Sequence, residues 1–265
     1  MSSILDKIFA AKREELDAQR RAVSDIAIVA RAKDAAPPRD FVGTLRTHRP
    51  AIIAEIKRAS PSKGDILPGL DPKAVAREYE ACGAAAISVL TDRHFKGTLD
   101  DLRAVREAVE LPLLRKDFIF HPYQIYEARA AGADCILLIV AMLKEGELRS
   151  LAALAREVKM AALIEVHNPE EFALAGRIGA ELIGINNRDL HTFITDLAVT
   201  KHLLAGYRGD ALIVGESGIN TPEDIRRLDA AGAGAFLIGE SLLREGNPAG
   251  KLPELMRALN GVAAR

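Results

Sequence analysis

Residues 122–141 read PYQIYEARAAGADCILLIVA, and this stretch contains the unit that decides the fold. Pro122–Ala131 has a helical pattern with proline at the first position, and Asp134–Ala141 is a continuous apolar run typical of a buried strand. The glycine between them supplies the left-handed residue that ends many helices. Near-identical junctions follow three other helical patterns, at Gly83-Ala84, Gly179-Ala180 and Gly232-Ala233. The chain therefore repeats one architecture, a helix followed by a buried strand.

The same alternation continues along most of the chain. Strand-like runs lie at Ala51–Lys57, Ala85–Thr91, Pro112–Lys116, Asp134–Ala141, Ala161–Val166, Glu181–Asn187, Ala211–Ser217 and Gly234–Gly239. Helical patterns lie at Pro72–Ala81, Asp100–Val109, Pro122–Ala131, Lys144–Lys159, Pro169–Arg177, Leu197–Ala205 and Pro222–Ala231. Apolar strands that alternate with helices indicate a parallel sheet covered on both faces. Repeated units in about 210 residues match a closed barrel better than an open doubly wound sheet. The predicted fold class is α/β, a single (β/α)8 TIM barrel.

Residues 1–45 precede the barrel and predict an N-terminal helical extension. The apolar residues at helical spacing there are Ile4, Leu5, Ile8, Phe9 and Leu16. Such an amphipathic helix would pack on the barrel or over its mouth. We expect one domain over residues 1–265, with the barrel at 51–245 and a C-terminal helix at 248–260.

Composition argues against several classes of function. The net charge is −1, from 36 basic and 37 acidic residues, so no overall field favours nucleic acid or anionic lipid. The longest purely apolar run, Cys135–Leu143, is about half a membrane span, and charges interrupt the N-terminal apolar pattern. Cys82 and Cys135 lack the spacing of a disulfide framework or a zinc site. We expect a soluble, cytoplasmic protein without a metal or a nucleotide cofactor, since no phosphate-loop motif is present.

Residues 54–64, AEIKRASPSKG, give the sharpest local signal. Glu55 and Lys57 are two apart, so they share one face of a strand and can reach one ligand from the barrel lumen. The following Ser-Pro-Ser-Lys-Gly is a turn with two hydroxyls and a second ammonium, Lys63, which suits anion binding and a mobile lid. The alternative is that Lys57 and Lys63 are solvated and Glu55 is a structural ion-pair partner.

Later strands also end in polar residues. Lys116 lies in LLRKDF and Glu165 in LIEVH. Each alone could be a charged rim residue, but barrel strands converge on one lumen, where lysine and carboxylate form an acid/base apparatus. Asn186 and Glu216 suit hydrogen bonds with a hydroxylated substrate, and Arg188 suits phosphate or carboxylate.

Glycines after two adjacent strands indicate a phosphate site. Gly218 and Gly239 let backbone N–H groups approach an anion, and the segment after Gly239 can open a helix whose positive end faces it. Four loop histidines share no metal-binding spacing and are interpreted as polar loop residues: His94, His121, His167 and His191.

Together these motifs resemble the indole-3-glycerol phosphate synthase family of tryptophan biosynthesis, over nearly the whole chain. AEIKRASPSKG looks like the signature of that family. The other motifs follow in its order and spacing: Val89-Leu-Thr-Asp92 with Phe95 and Gly97, Leu114-Arg-Lys-Asp-Phe118, Pro122-Tyr-Gln-Ile-Tyr-Glu-Ala-Arg129, Ile164-Glu-Val-His-Asn168, Gly184-Ile-Asn-Asn-Arg-Asp-Leu190 and Gly215-Glu-Ser-Gly-Ile219. The resemblance implies conversion of 1-(2-carboxyphenylamino)-1-deoxyribulose 5-phosphate to indole-3-glycerol phosphate, with loss of carbon dioxide and water and no cofactor.

The resemblance also implies roles for the candidate residues. Lys116 would be the general acid of ring closure, and Glu165 would take part in later proton transfers and dehydration. The residues implied to hold substrate hydroxyls and the anilino group are Glu55, Asn186 and Glu216. Those implied to bind phosphate or another anionic end are Lys57, Ser60, Arg188, Gly218 and Gly239, with Ser217 as a further substrate-binding candidate. Which of Lys57 and Lys116 acts as acid at each step, and whether Glu55 replaces Glu165 as base, stays open.

Three further expectations concern the site. A desolvated lysine near other cations has a lowered pKa, which would suit Lys116 for acid/base work. Phe95 and Phe118 could form apolar walls for an aromatic substrate. Glu240 departs from the small polar residue expected beside the phosphate, so its carboxylate should point away, or that contact is made by backbone only.

Two other functions stay open at this point. Another phosphate-binding barrel enzyme would share the fold, although an isomerase of phosphoribosylanthranilate needs a cysteine near strand one, which is lacking, and a Schiff-base aldolase would be trapped by borohydride. The second is a non-catalytic barrel that binds a sugar phosphate. Contact with other tryptophan-pathway enzymes is likewise left open.

Overall fold

A closed barrel of parallel strands forms the centre of the computed structural model, which describes residues 4–60, 64–67, 69–189, 192–244 and 248–259. The strands, labelled β1 to β8, are Ala51–Ile56, Ala86–Leu90, Leu113–Lys116, Cys135–Ile139, Ala161–Val166, Leu182–Asn186, Leu212–Glu216 and Ala235–Ile238. Successive strands pair with one another, and β8 closes the barrel on β1 through the register Ala54 to Ile238. The predicted (β/α)8 fold is therefore confirmed.

Helices cover the barrel from outside. Helices α1 to α12 are Ile4–Ala22, Asp25–Asp34, Phe41–Thr47, Pro72–Ala81, Leu99–Ala108, Pro122–Ala130, Glu145–Glu157, Pro169–Arg177, Ala198–Leu204, Pro222–Ala231, Glu240–Leu243 and Pro248–Met256. Single 3-10 turns lie at Arg93–Phe95, Val140–Met142 and Arg257–Leu259, and two short antiparallel strands, Ala59–Ser60 and Gly64–Asp65, follow β1. The predicted helices between the strands are present with ends within two residues of the predicted ones. All four glycines of the Gly-Ala junctions have positive φ.

Apolar side chains fill two layers. Alternate residues of each strand point to opposite faces, so Ile52 packs in the outer layer against the helices while Ile53 packs in the barrel interior. Phe41 and Leu45 of α3 belong to the interior layer. Helix α3 therefore closes the amino-terminal end of the barrel, and the opposite end is left for a site.

The N-terminal extension contains three helices in place of the single amphipathic helix that the sequence predicts. Helix α2 packs on α6, where Ile28 and Tyr123 lie in one apolar cluster with Leu16 of α1. The C-terminal helix expected at 248–260 is α12 followed by a 3-10 turn, and residue 260 lies outside the described residues. In the described part of the chain, no helix has the length and apolarity needed to cross a membrane.

Candidate active site

A cavity of about 320 Å³ opens at the carboxyl-terminal end of the barrel strands. It is lined by eleven of the twelve residues selected from the sequence, namely Glu55, Lys57, Phe95, Lys116, Glu165, Asn186, Arg188, Glu216, Ser217, Gly218 and Gly239. The side chain of the twelfth, Ser60, is not among the described ones, and Lys63 and His191 also lie outside the described residues. One barrel end therefore collects residues that are far apart in sequence.

Strand alternation brings these polar side chains together. Ile53 of β1 and Leu163 of β5 fill the barrel interior, and Glu55 and Glu165 follow two residues later on the same face. The same step of two places Lys116 after Leu114, Glu216 after Val214 and Gly239 after Leu237. The apolar interior ends in a layer of charged groups at the cavity floor.

Lys116 lies between two carboxylates. Its Nζ is 3.2 Å from Oε2 of Glu165 and 3.4 Å from Oε2 of Glu216. Burial alone would lower the pKa of Lys116, but the two facing carboxylates outweigh burial and raise this pKa above its ordinary value. The expectation of a lowered lysine pKa is therefore wrong, because the neighbours are anions rather than cations. Lys116 carries its proton at neutral pH.

The two carboxyl groups around Lys116 differ in protonation. Burial favours the neutral form of both, yet at Glu165 the charge of Lys116 and the contact with His167 prevail and hold the pKa well below its usual range. At Glu216 burial outweighs the attraction of Lys116, and repulsion from Glu165 adds to it, raising the pKa to about 8. Opposite pKa shifts in one cavity are typical of an acid and a base with separate roles.

Asn186 joins this set from β6. Its Nδ2 donates to Oε1 of Glu165 at 3.3 Å, and its Oδ1 accepts from the backbone N–H of Arg188 at 3.0 Å. The amide thus fixes one oxygen of Glu165 and the start of the loop that follows β6.

Glu55 and Lys57 form a second ion pair at the cavity. Nζ of Lys57 lies 2.9 Å from Oε1 of Glu55, and both side chains are largely buried. Lys57 is therefore not the solvated charge of the alternative hypothesis, whereas Glu55 does have the ion-pair partner that the same hypothesis gives it.

Two glycines make room for the buried carboxylates. A Cβ on Gly184 of β6 would lie 2.0 Å from Oε1 of Glu216, and a Cβ on Gly239 would lie 2.6 Å from Oε1 of Glu55. Any side chain at either position would displace a carboxylate of the site.

The turn after β7 has an unusual backbone. Ser217 has φ 64° and Gly218 has φ 80°. Positive φ is strained for serine, and strain of this kind clusters at ligand sites. A Cβ on Gly218 would approach Cγ2 of Thr195 to 2.6 Å, so the loop after β6 packs closely against this turn.

Glu240 lines the cavity instead of pointing away from it, so the first of the two alternatives for this residue is wrong, and an anion contact by backbone only stays a prediction. Its Oε2 lies 3.3 Å from Nη2 of Arg188, and Oε1 accepts a short contact from Arg244. The carboxylate of Glu240 therefore pairs with Arg188, which the sequence assigns to an anionic end of the substrate.

An apolar wall faces the charged floor. Phe95 and Phe118 lie with ring centroids 6.5 Å apart, and both line the cavity. Ile8 of α1 and the partly exposed Phe193 also line the cavity. The sequence placed Ile8 on a helix against the barrel or over its mouth but assigned it no function, and it gave no signal for Phe193, which lies in a loop without apolar periodicity.

His167 is a functional candidate that sequence reasoning missed. Its Nε2 lies 3.2 Å from Oε1 of Glu165 and its Nδ1 lies 3.1 Å from Oε2 of Glu171. Burial alone would lower the pKa of His167, but the two carboxylates raise it to about 10. The spacing of two in Leu-Ile-Glu-Val-His was the available signal, since it puts His167 on the face of Glu165.

A buried ion network next to Lys116 was also missed. Nζ of Lys12 in α1 lies 2.8 Å from Oδ1 of Asp117, and Nη2 of Arg115 lies 2.9 Å from Oδ2. Burial opposes ionisation of Asp117, but these two cations hold its pKa well below the usual range. Helix α1 is thus tied to the residue that follows the central lysine.

The polar groups of the cavity are matched as opposite charges rather than as metal ligands. Among the residues with described positions, no three His, Cys, Asp or Glu side chains are grouped so that they could hold a metal ion. Chemically, the arrangement can bind anions and move protons beside an apolar surface.

Solved structures with a similar fold include two phosphate-ester enzymes by name. N-acetylmannosamine-6-phosphate 2-epimerase from Clostridium perfringens is 15% identical with a TM-score of 0.62, over 78% of this chain and 93% of that one. Thiamine phosphate pyrophosphorylase from Pyrococcus furiosus is 15% identical with a TM-score of 0.61, over 83% and 99%. At this identity the similarity concerns the fold alone.

Sequence comparison is more specific. The model of the family indole-3-glycerol phosphate synthase matches residues 5–255. A protein of that name from Roseiflexus sp. (strain RS-1) is 49% identical over 265 residues, covering 96% of this chain and 98% of the relative. One from Acidithiobacillus ferrooxidans is 47% identical over 260 residues, covering 96% and 99%. The chain therefore belongs to the indole-3-glycerol phosphate synthase family, whose members are carboxy-lyases of tryptophan biosynthesis.

Proposed function

We propose that this chain converts 1-(2-carboxyphenylamino)-1-deoxyribulose 5-phosphate into indole-3-glycerol phosphate, releasing carbon dioxide and water without a cofactor. The observation that carries the proposal is the position of Lys116, whose Nζ lies within 3.4 Å of both Glu165 and Glu216 on the cavity floor. A protonated lysine between an ionised and a neutral carboxyl group supplies the acids and the base that the reaction needs.

Ring closure is the first step. The aromatic carbon that bears the carboxyl group attacks the ketone carbon of the sugar, and the carbonyl oxygen must receive a proton as the new carbon–carbon bond forms. Lys116 is protonated because facing carboxylates raise its pKa, so its Nζ is the proton donor in this proposal. Phe95 and Phe118 offer the aromatic ring an apolar wall.

Decarboxylation and dehydration follow. Loss of carbon dioxide returns the bonding electrons to the ring and restores aromaticity. The hydroxyl formed in ring closure then leaves as water after protonation, and a base removes a proton from the adjacent carbon to complete the indole. Glu165 is the base in this scheme because its lowered pKa keeps it ionised at neutral pH. Glu216, with a pKa of about 8, would donate a hydrogen bond to a substrate oxygen.

The phosphate would bind at the side of the cavity where β7, β8 and β1 meet. Lys57 and the backbone of Gly218 and Gly239 border that side, and Ser60 follows β1. Binding there requires Lys57 to leave Glu55 and Arg188 to leave Glu240, since both cations hold carboxylates in the free protein. Glu55 and Asn186 would then face the substrate hydroxyls.

A Schiff-base mechanism is disfavoured by the same geometry. Schiff-base formation needs a neutral lysine amine, whereas carboxylates raise the pKa of Lys116. An isomerase mechanism that needs a cysteine near β1 finds none, since the two cysteines of the chain are Cys82 and Cys135. The biosynthetic role of the family supports a cytoplasmic location as part of this proposal.

The test is a direct assay of the purified protein with the synthetic carboxyphenylamino substrate. We expect indole fluorescence to appear together with one equivalent of carbon dioxide, unaffected by a metal chelator. Borohydride should not inactivate the enzyme. Absence of indole fluorescence at saturating substrate would overturn the proposal.

A further inference from the structure

His167 connects the proposed base to a second carboxylate outside the cavity floor. Its Nε2 forms an ion pair with Oε1 of Glu165 at 3.2 Å, and its Nδ1 contacts Oε2 of Glu171 at 3.1 Å. The other oxygen of Glu165 faces Lys116 at 3.2 Å. Glu165 is therefore held between a lysine on β3 and a histidine at the end of its own strand.

Glu171 is itself fixed at the start of α8. Its Oε2 accepts from the backbone N–H of His167 at 2.8 Å, and its Oε1 accepts from Nδ2 of Asn168 at 2.8 Å. Its own backbone N–H donates to Oδ1 of Asn168 at 2.9 Å. These bonds leave the imidazole little freedom to rotate, because Oε2 of Glu171 contacts both the backbone N–H and the ring of His167.

We propose that His167, oriented by Glu171, is a positioning residue of the reaction that aims Glu165 at Lys116 and keeps it a carboxylate. This inference rests on the proposed function of Glu165 as a base. His167 contacts the substrate in no step of the proposed reaction, so it acts through Glu165.

The charges around the imidazole decide in which direction His167 changes the pKa of Glu165. Glu165 faces His167 from β5 and Glu171 faces it from α8, and both raise its pKa, to about 10, against the effect of burial. Beyond Glu165 lie Lys116 of β3 and Glu216 of β7. A protonated His167 stabilises ionised Glu165, so removing the ring charge must raise the pKa of Glu165.

A purely structural function is the competing explanation. Asn168 already caps α8 by accepting from the backbone of Glu171, so the imidazole is not needed for the helix to begin. A structural histidine would change stability, most at the pH values where the ring is protonated, but it would leave the pH profile of turnover in place.

The experiment compares two variants that separate the ring nitrogens. His167→Gln keeps a neutral donor near the position of Nε2, whereas His167→Asn keeps one near Nδ1 and loses the contact with Glu165. We expect the acidic limb of kcat to move up by about one pH unit in His167→Gln and further in His167→Asn. On that acidic limb kcat should fall by roughly tenfold while KM changes by less than about threefold.

Glu171→Gln tests the second contact. Without the Glu171 carboxylate, His167 should lose its proton at lower pH, so turnover should decline on the alkaline side, where the wild type is still active. His202→Gln is the matched control, since His202 is exposed on α9 away from the cavity. Its pH profile should match that of the wild type.

The outcomes are separable. Wild-type turnover together with unchanged pH profiles in both His167 variants would overturn the role of His167 alone. A uniform loss at all pH values, with a lowered melting temperature, would also overturn it in favour of a structural function. A wild type without turnover would overturn the proposed function, and the positioning role with it.

Discussion

Oε1 of Glu55 lies in the space that a Cβ on residue 239 would need. A Cβ built on Gly239 falls 2.6 Å from that oxygen and 2.9 Å from the Cβ of Glu55. The two residues come from the first and the last barrel strands, which pair directly. Gly239 is therefore required for the position of a buried carboxylate, whatever its backbone contributes to anion binding.

Gly239→Ala should damage the site more than the fold. The added methyl group must push Glu55 away and with it Lys57, which is bound to the same oxygen. A displacement of about 1 Å in an active site can cost roughly a hundredfold, so we expect kcat/KM to fall ten- to a hundredfold. Gly146→Ala is the control, because a Cβ there meets nothing within 4 Å. Wild-type activity in Gly239→Ala would contradict this account.

Lys116→Met should abolish turnover and preserve the fold. Methionine removes the proton donor from the cavity floor while filling similar space, and a loss of about two to four orders of magnitude in kcat is expected. Circular dichroism and substrate binding should change little. Lys201→Met, an exposed lysine on α9, is the control. More than about a tenth of wild-type turnover would remove Lys116 from the acid role.

Much of this site followed from sequence because it depends on strand alternation. Once β1, β5 and β7 are recognised, a step of two from a buried apolar residue predicts which side chains enter the cavity, as with Ile53 and Glu55. The barrel itself follows from repeated strand and helix units with glycine junctions. These rules act within one segment of the chain, so they do not depend on which distant segment packs against it.

Pairings between distant segments could not be predicted in this way. A buried lysine such as Lys12, in a helix with a charged pattern, has the sequence appearance of a solvated residue. Its contact with Asp117 depends on how α1 docks on the barrel. The raised pKa of Lys116 likewise depends on which charges face it, and only the closed barrel brings Glu165 and Glu216 to it.

Glu165→Gln should lower kcat far more than it changes KM. The amide keeps the shape and hydrogen bonding of the side chain but cannot take a proton at neutral pH, so kcat should fall by about two to four orders of magnitude. Loss of the carboxylate should also bring the pKa of His167 down from about 10, which NMR of the ring nitrogens would detect. If the loss lies wholly in KM, the base must be sought at Glu55.

Lys12→Met should destabilise the protein and weaken the dependence of its stability on pH. Removing one partner of a buried pair typically costs about 3–5 kcal/mol, and the exposed fraction of Lys12 is 1%. Asp117 has a lowered pKa in the folded state, so it stabilises the fold above its unfolded pKa and this stability is lost as pH falls. Without Lys12 the folded pKa of Asp117 rises, and urea unfolding should show less stability gained between pH 3 and pH 6.

The matched control for Lys12 is Lys73→Met, because Lys73 pairs with Glu107 at 2.8 Å on an exposed surface. Solvent screens such a pair, so its removal should change little. Equal destabilisation in the two variants would contradict the buried network as a source of stability.

The last prediction concerns the anion. If phosphate binds where β7, β8 and β1 meet, inorganic phosphate should compete with substrate, and a phosphate complex should show the ion against Gly218 and Lys57. Arg188→Met should raise the inhibition constant of phosphate and the KM of substrate in parallel, by about tenfold. Glu240→Gln should act in the opposite direction, since its carboxylate holds Arg188 at 3.3 Å in the free protein. Equal competition in the wild type and in both variants, or an anion bound elsewhere, would exclude this site. Lys57 and Arg188 both line the cavity at the end of the barrel where β1 pairs with β8, so an anion held by them must bind there.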